Sequence, residues 1–321
     1  MLSEIQIDQS VLKRFTLLNK KNRLAHAYLF IGPVDIGKGE TALAVAKLIL
    51  CEAKKDGLPC GGCPSCAKVG AGTHPDLLRI DNGPGELIKI EQMRDLMDRM
   101  KLTPFLGMKK VVIIRNTEQF TPDSANAFLK TLEEPSATTL MLLTTSVPEQ
   151  NPDTVRSRCH AIYFQPLSNN EMEERLRGAY RLKEGDTHFL AHFSQGCPGA
   201  AQRFMDNGII AYKDEVIDGF IYRQPSDDYI KETIADKERT KVFLNILFSW
   251  IRDAILVKSG IKDGRLIHLD RIEALSLFAQ GYSFGQLNEL SKSVVEAHKL
   301  LADNLNIKLP LLIIGEQLWE K

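Results

Sequence analysis

Nowhere in the chain does an apolar run approach the ~18 residues of a membrane-spanning helix, and Met1-Leu2-Ser3-Glu4-Ile5 has no basic stretch followed by an apolar one. No membrane partner is expected, and the location expected is the cytoplasm. Net charge is missing too, since 41 Lys and Arg balance 41 Asp and Glu. A neutral whole exerts no long-range pull on nucleic acid, so a DNA role needs a local patch or a partner. Low-complexity tracts and convincing internal repeats are absent, so no large disordered part is expected. Cysteine is sparse: there are six, and four fall between residues 51 and 66. In a chain this long without an export signal, that clustering points to a metal rather than to disulfides.

With 321 residues the chain exceeds what one core usually serves, and two or three domains are expected. The first half alternates short β-rich runs with helical stretches. Tyr28 to Ile31 precede Gly32 and a helix from about Lys38 to Leu50; further runs follow at Leu77–Ile80, Val111–Ile114, Leu140–Leu143 and Ala161–Phe164. Such alternation predicts a parallel sheet covered on both faces. Thr121 as cap, Pro122 at the first helical position and Glu133-Glu134-Pro135 at the end bound one of the intervening helices. After Pro166 the β-rich runs stop, and Ser168 with Glu171 has capping-box spacing for a helix to about Tyr180. Helical patterns then run to the end. They include Lys237–Lys258, with Leu244, Leu247, Ile251 and Ile255 at helical spacing, and about Phe284–Asn304.

Gly32-Pro33-Val34-Asp35-Ile36-Gly37-Lys38-Gly39 follows a predicted strand and opens a predicted helix, the context in which G-x-x-x-x-G-K-[ST] cradles phosphates. Gly39 stands where a hydroxyl should hold magnesium. The strand Val111–Ile114 ends in Arg115-Asn116 instead of the carboxylates that assist the metal and activate water. Hydrolysis is therefore not expected, whereas Lys38 leaves nucleotide binding open. Glu118 lies past the expected strand end and reads as a surface residue approaching the next helix.

Cys51, Cys60, Cys63 and Cys66 are spaced C-x₈-C-x₂-C-x₂-C, with Gly61, Gly62 and Pro64 allowing a tight knuckle. Four thiolates make a closed tetrahedral site, so structural zinc is favoured over catalytic zinc, and an iron–sulfur cluster is the alternative. Cys159 and Cys197 read as small, partly buried side chains, and His74 as a hydrogen-bonded loop residue. In Ser157-Arg158-Cys159 the arginine points outward from a sheet edge. An exposed Arg is usually just solvated, but beside a disabled phosphate site it can serve a neighbour's triphosphate. Lys109, Lys110 and Lys130 are candidate phosphate contacts, against the commoner reading of solvated lysines.

His26-Ala27-Tyr28-Leu29-Phe30, the phosphate loop, the cysteine knuckle, His74-Pro75-Asp76, the run Asn126 to Pro135 and Ser157-Arg158-Cys159 together resemble the bacterial clamp-loader AAA+ subunits. The motifs cover residues 20 to 165, and L-K-T-L-E-E-P is the most specific of them. The resemblance implies an α/β followed by all-α fold: a RecA-like AAA+ P-loop domain with a parallel sheet and a zinc module over residues 1–165, a helical lid over 166–210 and a helical collar over 211–321. Degraded ATP motifs beside an intact Ser-Arg-Cys match the family's stator pattern. It implies that Arg158 acts as an arginine finger in trans, that Gly32, Gly37 and Lys38 form a degenerate phosphate loop, and that the four cysteines hold structural zinc. Ala200 falls about where motor subunits carry a phosphate-sensing Arg, and Arg203 lies one helical turn further on. The partners implied are gamma/tau ATPases and delta in a hetero-pentamer, with the sliding clamp and primed DNA met through the assembly. The alternative is an ATP-hydrolysing, gamma/tau-like motor subunit of the same loader.

Overall fold

The computed structural model describes residues 6 to 83, 85 to 107 and 109 to 319. By contacts it divides into two compact units, one of residues 1–167 with 197–200 and one of residues 168–196 with 201–321.

In the first unit, helix α1 (Gln9–Lys20) precedes β1 (Ala27–Ile31), α2 (Lys38–Leu50), α3 (Pro64–Gly70), β2 (Leu77–Ile80), α4 (Ile90–Lys101), β3 (Lys110–Ile114), α5 (Pro122–Glu133), β4 (Thr139–Thr145), α6 (Asp153–Arg156) and β5 (His160–Tyr163). The strands form a parallel sheet in the order β2-β3-β4-β1-β5. Every residue of β1, β3 and β4 is buried, as continuous apolar strands must be when helices cover both faces. One face packs Leu29, Val112, Met141 and Leu143 against Leu96 of α4 and Phe128 and Leu132 of α5. The expected strands and the α/β class are borne out. Thr121 caps α5 by accepting from Ser124 N at 3.2 Å, with Pro122 in the first turn. Helix α1 is not among the helices expected from the sequence; Asp8 caps it, its carboxylate accepting from Ser10 N and Val11 N, and Phe15, fully buried against Tyr28 and Phe30, fixes it.

The sheet order brings the carboxyl ends of β1, β3 and β4 side by side, with Ile31 in register with Thr145 and Ile114 with Leu143. The loops after these three strands therefore meet at one rim, where ligands of parallel sheets bind.

Beyond Pro166 the described residues are helical: α7 (Asn169–Ala179), α8 (Glu184–Phe193), α9 (Pro198–Asp206), α10 (Ile209–Val216), α11 (Asp227–Ala235), α12 (Lys237–Lys258), α13 (Ile272–Gln280), α14 (Phe284–Ala302) and α15 (Lys308–Trp319). The Ser168–Glu171 capping box forms as predicted. Helix α12 buries Leu244, Leu247 and Ile251 of the expected stripe, but also Phe243, Trp250 and Ala254, so it is the central helix of its unit rather than a surface one. Its Asp253 is fully buried and satisfied: Oδ2 accepts from Ile267 N (2.7 Å) and His268 N (2.8 Å), and Oδ1 from Arg252 (2.6 Å). No helix among the described residues is long and apolar enough to cross a membrane.

Candidate functional site

The phosphate loop joins β1 to α2 as the spacing predicts. Gly32 is required, because a Cβ there would lie 2.8 Å from the Phe164 carbonyl oxygen. Gly37 has φ +99°, and a Cβ on it would lie 1.8 Å from the Gln6 carbonyl oxygen, so the chain before α1 lies directly over the loop. Asp8 N donates to Thr41 Oγ1 at 2.9 Å and pins that segment to α2. Lys38 is buried; its Nζ donates to Gly32 O and Pro33 O, both at 2.7 Å, and to Ser146 Oγ at 3.1 Å. All three donors of the ammonium are thereby engaged within the loop's own surroundings. Burial pulls its pKa down to about 8 against the opposing carboxylates of Glu118 and Asp35.

Gly39 and Arg115 form a single steric unit. A Cβ at Gly39 would lie 2.5 Å from Arg115 Cζ and 2.7 Å from Nε and Nη2. The guanidinium lies beside the position from which a Ser or Thr hydroxyl would reach magnesium, and it is anchored by Glu40 Oε1 at 3.3 Å and Asp81 Oδ1 at 3.6 Å. A fixed cation there repels the metal, and the missing side chain leaves the room the cation fills. Among the described residues, the His, Cys, Asp and Glu groups close enough to hold a metal do not include any at this loop.

Glu118 departs from the sequence expectation. It sits half-buried in a 3₁₀ turn (Thr117–Gln119), and its Oε1 accepts from Ser146 N at 3.2 Å, which turns the carboxylate toward the lysine side of the loop. The 3₁₀ turn tightens the chain after β3 and brings round a residue that a straight strand would leave outside. The segment 197–200 also reaches the loop, with Gly199 N donating to Asp35 O at 2.8 Å, and a Cβ on Gly199 would clash with that oxygen at 2.7 Å. Ala200 is buried, and Arg203 lies against the Phe204 ring, with Glu238 at 3.8 Å.

The four cysteines come together. Cys51 ends α2, Cys63 caps α3 and Cys66 lies in its first turn; Cys60 comes from the intervening loop, and all four sulfurs lie within 4.8 Å of one another. Cys51 Sγ is 3.6 Å from Cys60 Sγ and 3.9 Å from Cys63 Sγ. A tetrahedron with ~2.3 Å metal–sulfur bonds has edges of about 3.8 Å, so the donor set fits a tetrahedral ion. Backbone amides of Cys60, Cys63 and Cys66 donate to Cys51, Cys60 and Cys63 sulfurs at 3.3, 3.3 and 3.4 Å, the environment of thiolates. The Cys66 amide brings the Cys63 thiol down to about 6, while burial pushes the Cys66 thiol up to about 12. His74 is not among the ligands; its Nε2 lies 2.6 Å from Ser65 Oγ, which donates to Leu50 O at 2.8 Å and ties the module to the end of α2.

Arg158 follows α6 at the edge strand β5. Its Nη2 donates to Glu133 Oε1 at 2.7 Å and its Nη1 to Thr154 O at 2.8 Å. The side chain is 34% exposed and its partner 48%, and an exposed pair of this kind contributes only ~0–1 kcal/mol, so a phosphate can displace the carboxylate cheaply. The guanidinium lines an open cleft of about 490 Å³ with His26, Leu132, Ser157 and His160. Burial pushes the neighbouring Cys159 thiol up to about 12. Lys110 is neither a phosphate contact nor solvated: it is buried, and its Nζ donates to Arg99 O and Leu102 O at 2.5 Å, closing the carboxyl end of α4.

Comparison with known proteins shows what the chain is similar to. The family described as DNA polymerase III, delta subunit, matches residues 7–168, and that described as DNA polymerase III, delta subunit, C terminal, matches residues 214–318. The chain is 30% identical to the DNA polymerase III subunit delta' of Bacillus subtilis over 297 residues, 90% of this chain and 89% of the relative. It is 32% identical to the delta' subunit of Pseudomonas aeruginosa over 246 residues, 76% of this chain and 74% of the relative. The DNA polymerase III subunit tau of Salmonella typhimurium is 37% identical, but over 48% of this chain and 24% of the relative.

Proposed function

Since the chain belongs to the family of DNA polymerase III delta' subunits, we propose that it is the stator of a cytoplasmic sliding-clamp loader: it completes the pentamer without hydrolysing ATP and lends Arg158 to a neighbouring ATPase. The observation that carries this reading is the Arg115 guanidinium packed against Gly39, with Lys38 bonded to the loop's own carbonyls. A loop in that state lacks both a place for magnesium and a free ammonium for the terminal phosphates. Arg158 lies at the surface in a weak pair, where an adjoining subunit's triphosphate can take it over. The partners in this reading are gamma/tau ATPases and delta, with the clamp and primed DNA engaged through the assembly. Residues 166–210 act as lid and 211–321 as collar.

Cys51, Cys60, Cys63 and Cys66 would hold zinc, which supplies a cross-link between the end of α2 and the start of α3 rather than a reacting water. Metal analysis of the purified chain is expected to find zinc at these cysteines, lost in Cys60→Ser. The motor alternative asks Gly39 and Arg115 to be tolerated at a working metal site, and the similarity to tau subunits spans 48 to 60% of the chain against 90% for the delta' relative.

The test is the steady-state ATPase rate of the reconstituted loader with clamp and primed DNA, for the wild type and Arg158→Ala, beside the chain alone. An inactive chain and a slower Arg158→Ala assembly support the stator reading; turnover by the isolated chain, or an unaffected assembly, overturns it.

A further inference from the structure

A second group of metal-type ligands lies in the helical unit, away from the cysteines in sequence. Glu173 projects from α7, and His188 and His192 stand at i and i+4 on α8, so both rings leave the same helix face. One ligand atom from each of the three lies within 4.8 Å of the others, and all three residues are half-buried. The imidazole rings are 4.1 Å apart between centroids.

The outer atoms of the group are held in place. His188 Nε2 lies 2.7 Å from Leu266 O, a pure acceptor, so this nitrogen carries the hydrogen and donates it. Its Nδ1 then faces Glu173 Oε1 at 3.0 Å. The other carboxylate oxygen, Oε2, accepts from Arg177 Nη2 at 2.8 Å. His192 Nδ1 is 3.1 Å from the Asn169 side-chain amide, which can present either its nitrogen or its oxygen to the ring. Glu173 and His188 thus each have one atom held from outside and one turned toward the other, the arrangement that orients ligands around an ion.

Electrostatics decides what belongs at the centre. A ring nitrogen lone pair and a carboxylate oxygen at 3.0 Å repel unless a cation lies between them. A proton on His188 satisfies that one pair and leaves the tilted His192 ring, 4.1 Å away, beside an imidazolium. A divalent ion satisfies the carboxylate and both imidazoles together. We infer that Glu173, His188 and His192 form a second metal site, for a borderline divalent transition ion such as zinc or cobalt, with its remaining coordination positions open to water. Two imidazoles suit these ions, whereas magnesium and calcium require oxygen ligands. An ion here ties α7 to α8, and through the Leu266 carbonyl to the loop after α12.

The inference is tested on the full chain, purified with zinc at the cysteines and titrated with Co²⁺ while bound cobalt, released zinc and visible absorption are followed. One cobalt taken up per chain, with no zinc released and no thiolate-to-cobalt charge-transfer band, is expected. His192→Ala and Glu173→Gln should each weaken that uptake about 10-fold or more, with unchanged circular dichroism; Glu173→Gln keeps the side-chain shape in case the alanine variant unfolds. Absence of uptake, uptake only with zinc release and a thiolate band, or uptake unaltered in folded Glu173→Gln overturns the site.

Discussion

Two arginines of the first unit make opposite use of the same group. Arg115 is turned inward at the carboxyl rim of the sheet, set between Glu40 and Asp81 and pressed against the bare Cα of Gly39. Arg158 is turned outward at the sheet edge, held by one exposed carboxylate across an open cleft. The first guanidinium fills the space beside Gly39, and in the proposed function that closes the phosphate loop. The second waits at the surface in a pair too weak to keep it from a better anion. In the function proposed here, one chain has lost its own ATP site yet keeps the residue that serves another's.

Breaking the outward member has the largest expected effect. Arg158→Ala should remove an arginine finger worth about 10³-fold or more at the one site it serves, seen as loss of that site's share of the loader's steady-state ATPase, with little change in the thermal unfolding of the chain. Disturbing the inward member acts on stability instead. Gly39→Ser places a Cβ 2.5 Å from the guanidinium carbon; the arginine tip must swing aside and loosen its pairs with Glu40 and Asp81, which should cost about 1 kcal/mol, read as a slightly lower urea midpoint. Combined with Arg115→Ala it should recover most of that loss; strictly additive effects would show that the two residues do not share the space. The smallest effect is expected from Glu133→Gln, which loosens Arg158 from its resting partner: a stability change under ~1 kcal/mol and an undiminished loader ATPase. A fall comparable to that of Arg158→Ala would make the pair a working element rather than a parking place.

The first unit was largely legible in the sequence. Contiguous apolar runs give strands buried on both faces, Thr121 and Pro122 start α5, and Ser168 with Glu171 starts α7. The cysteine spacing is local enough to foretell the four-sulfur cluster. What escaped depends on parts brought together from afar. Gly39 and Arg115 each read as a defect, but their fit arises because the sheet places β3 beside α2, which no local pattern records. Gln6 over the loop, Glu118 turned in by a 3₁₀ turn and Lys110 buried under the end of α4 are of the same kind. The helical unit was legible as helices, and Lys237–Lys258 in its bounds, but the three-residue cluster on α7 and α8 has no sequence signature beyond two histidines four residues apart.

Closure of the chain's own phosphate loop by Arg115 is tested by equilibrium binding of ATP with magnesium to the wild-type chain and to the Gly39→Ser, Arg115→Asp double variant. Expected are a wild-type Kd weaker than ~1 mM, insensitive to magnesium, and measurably tighter, magnesium-dependent binding by the folded double variant. Micromolar, magnesium-dependent binding by the wild type would contradict it.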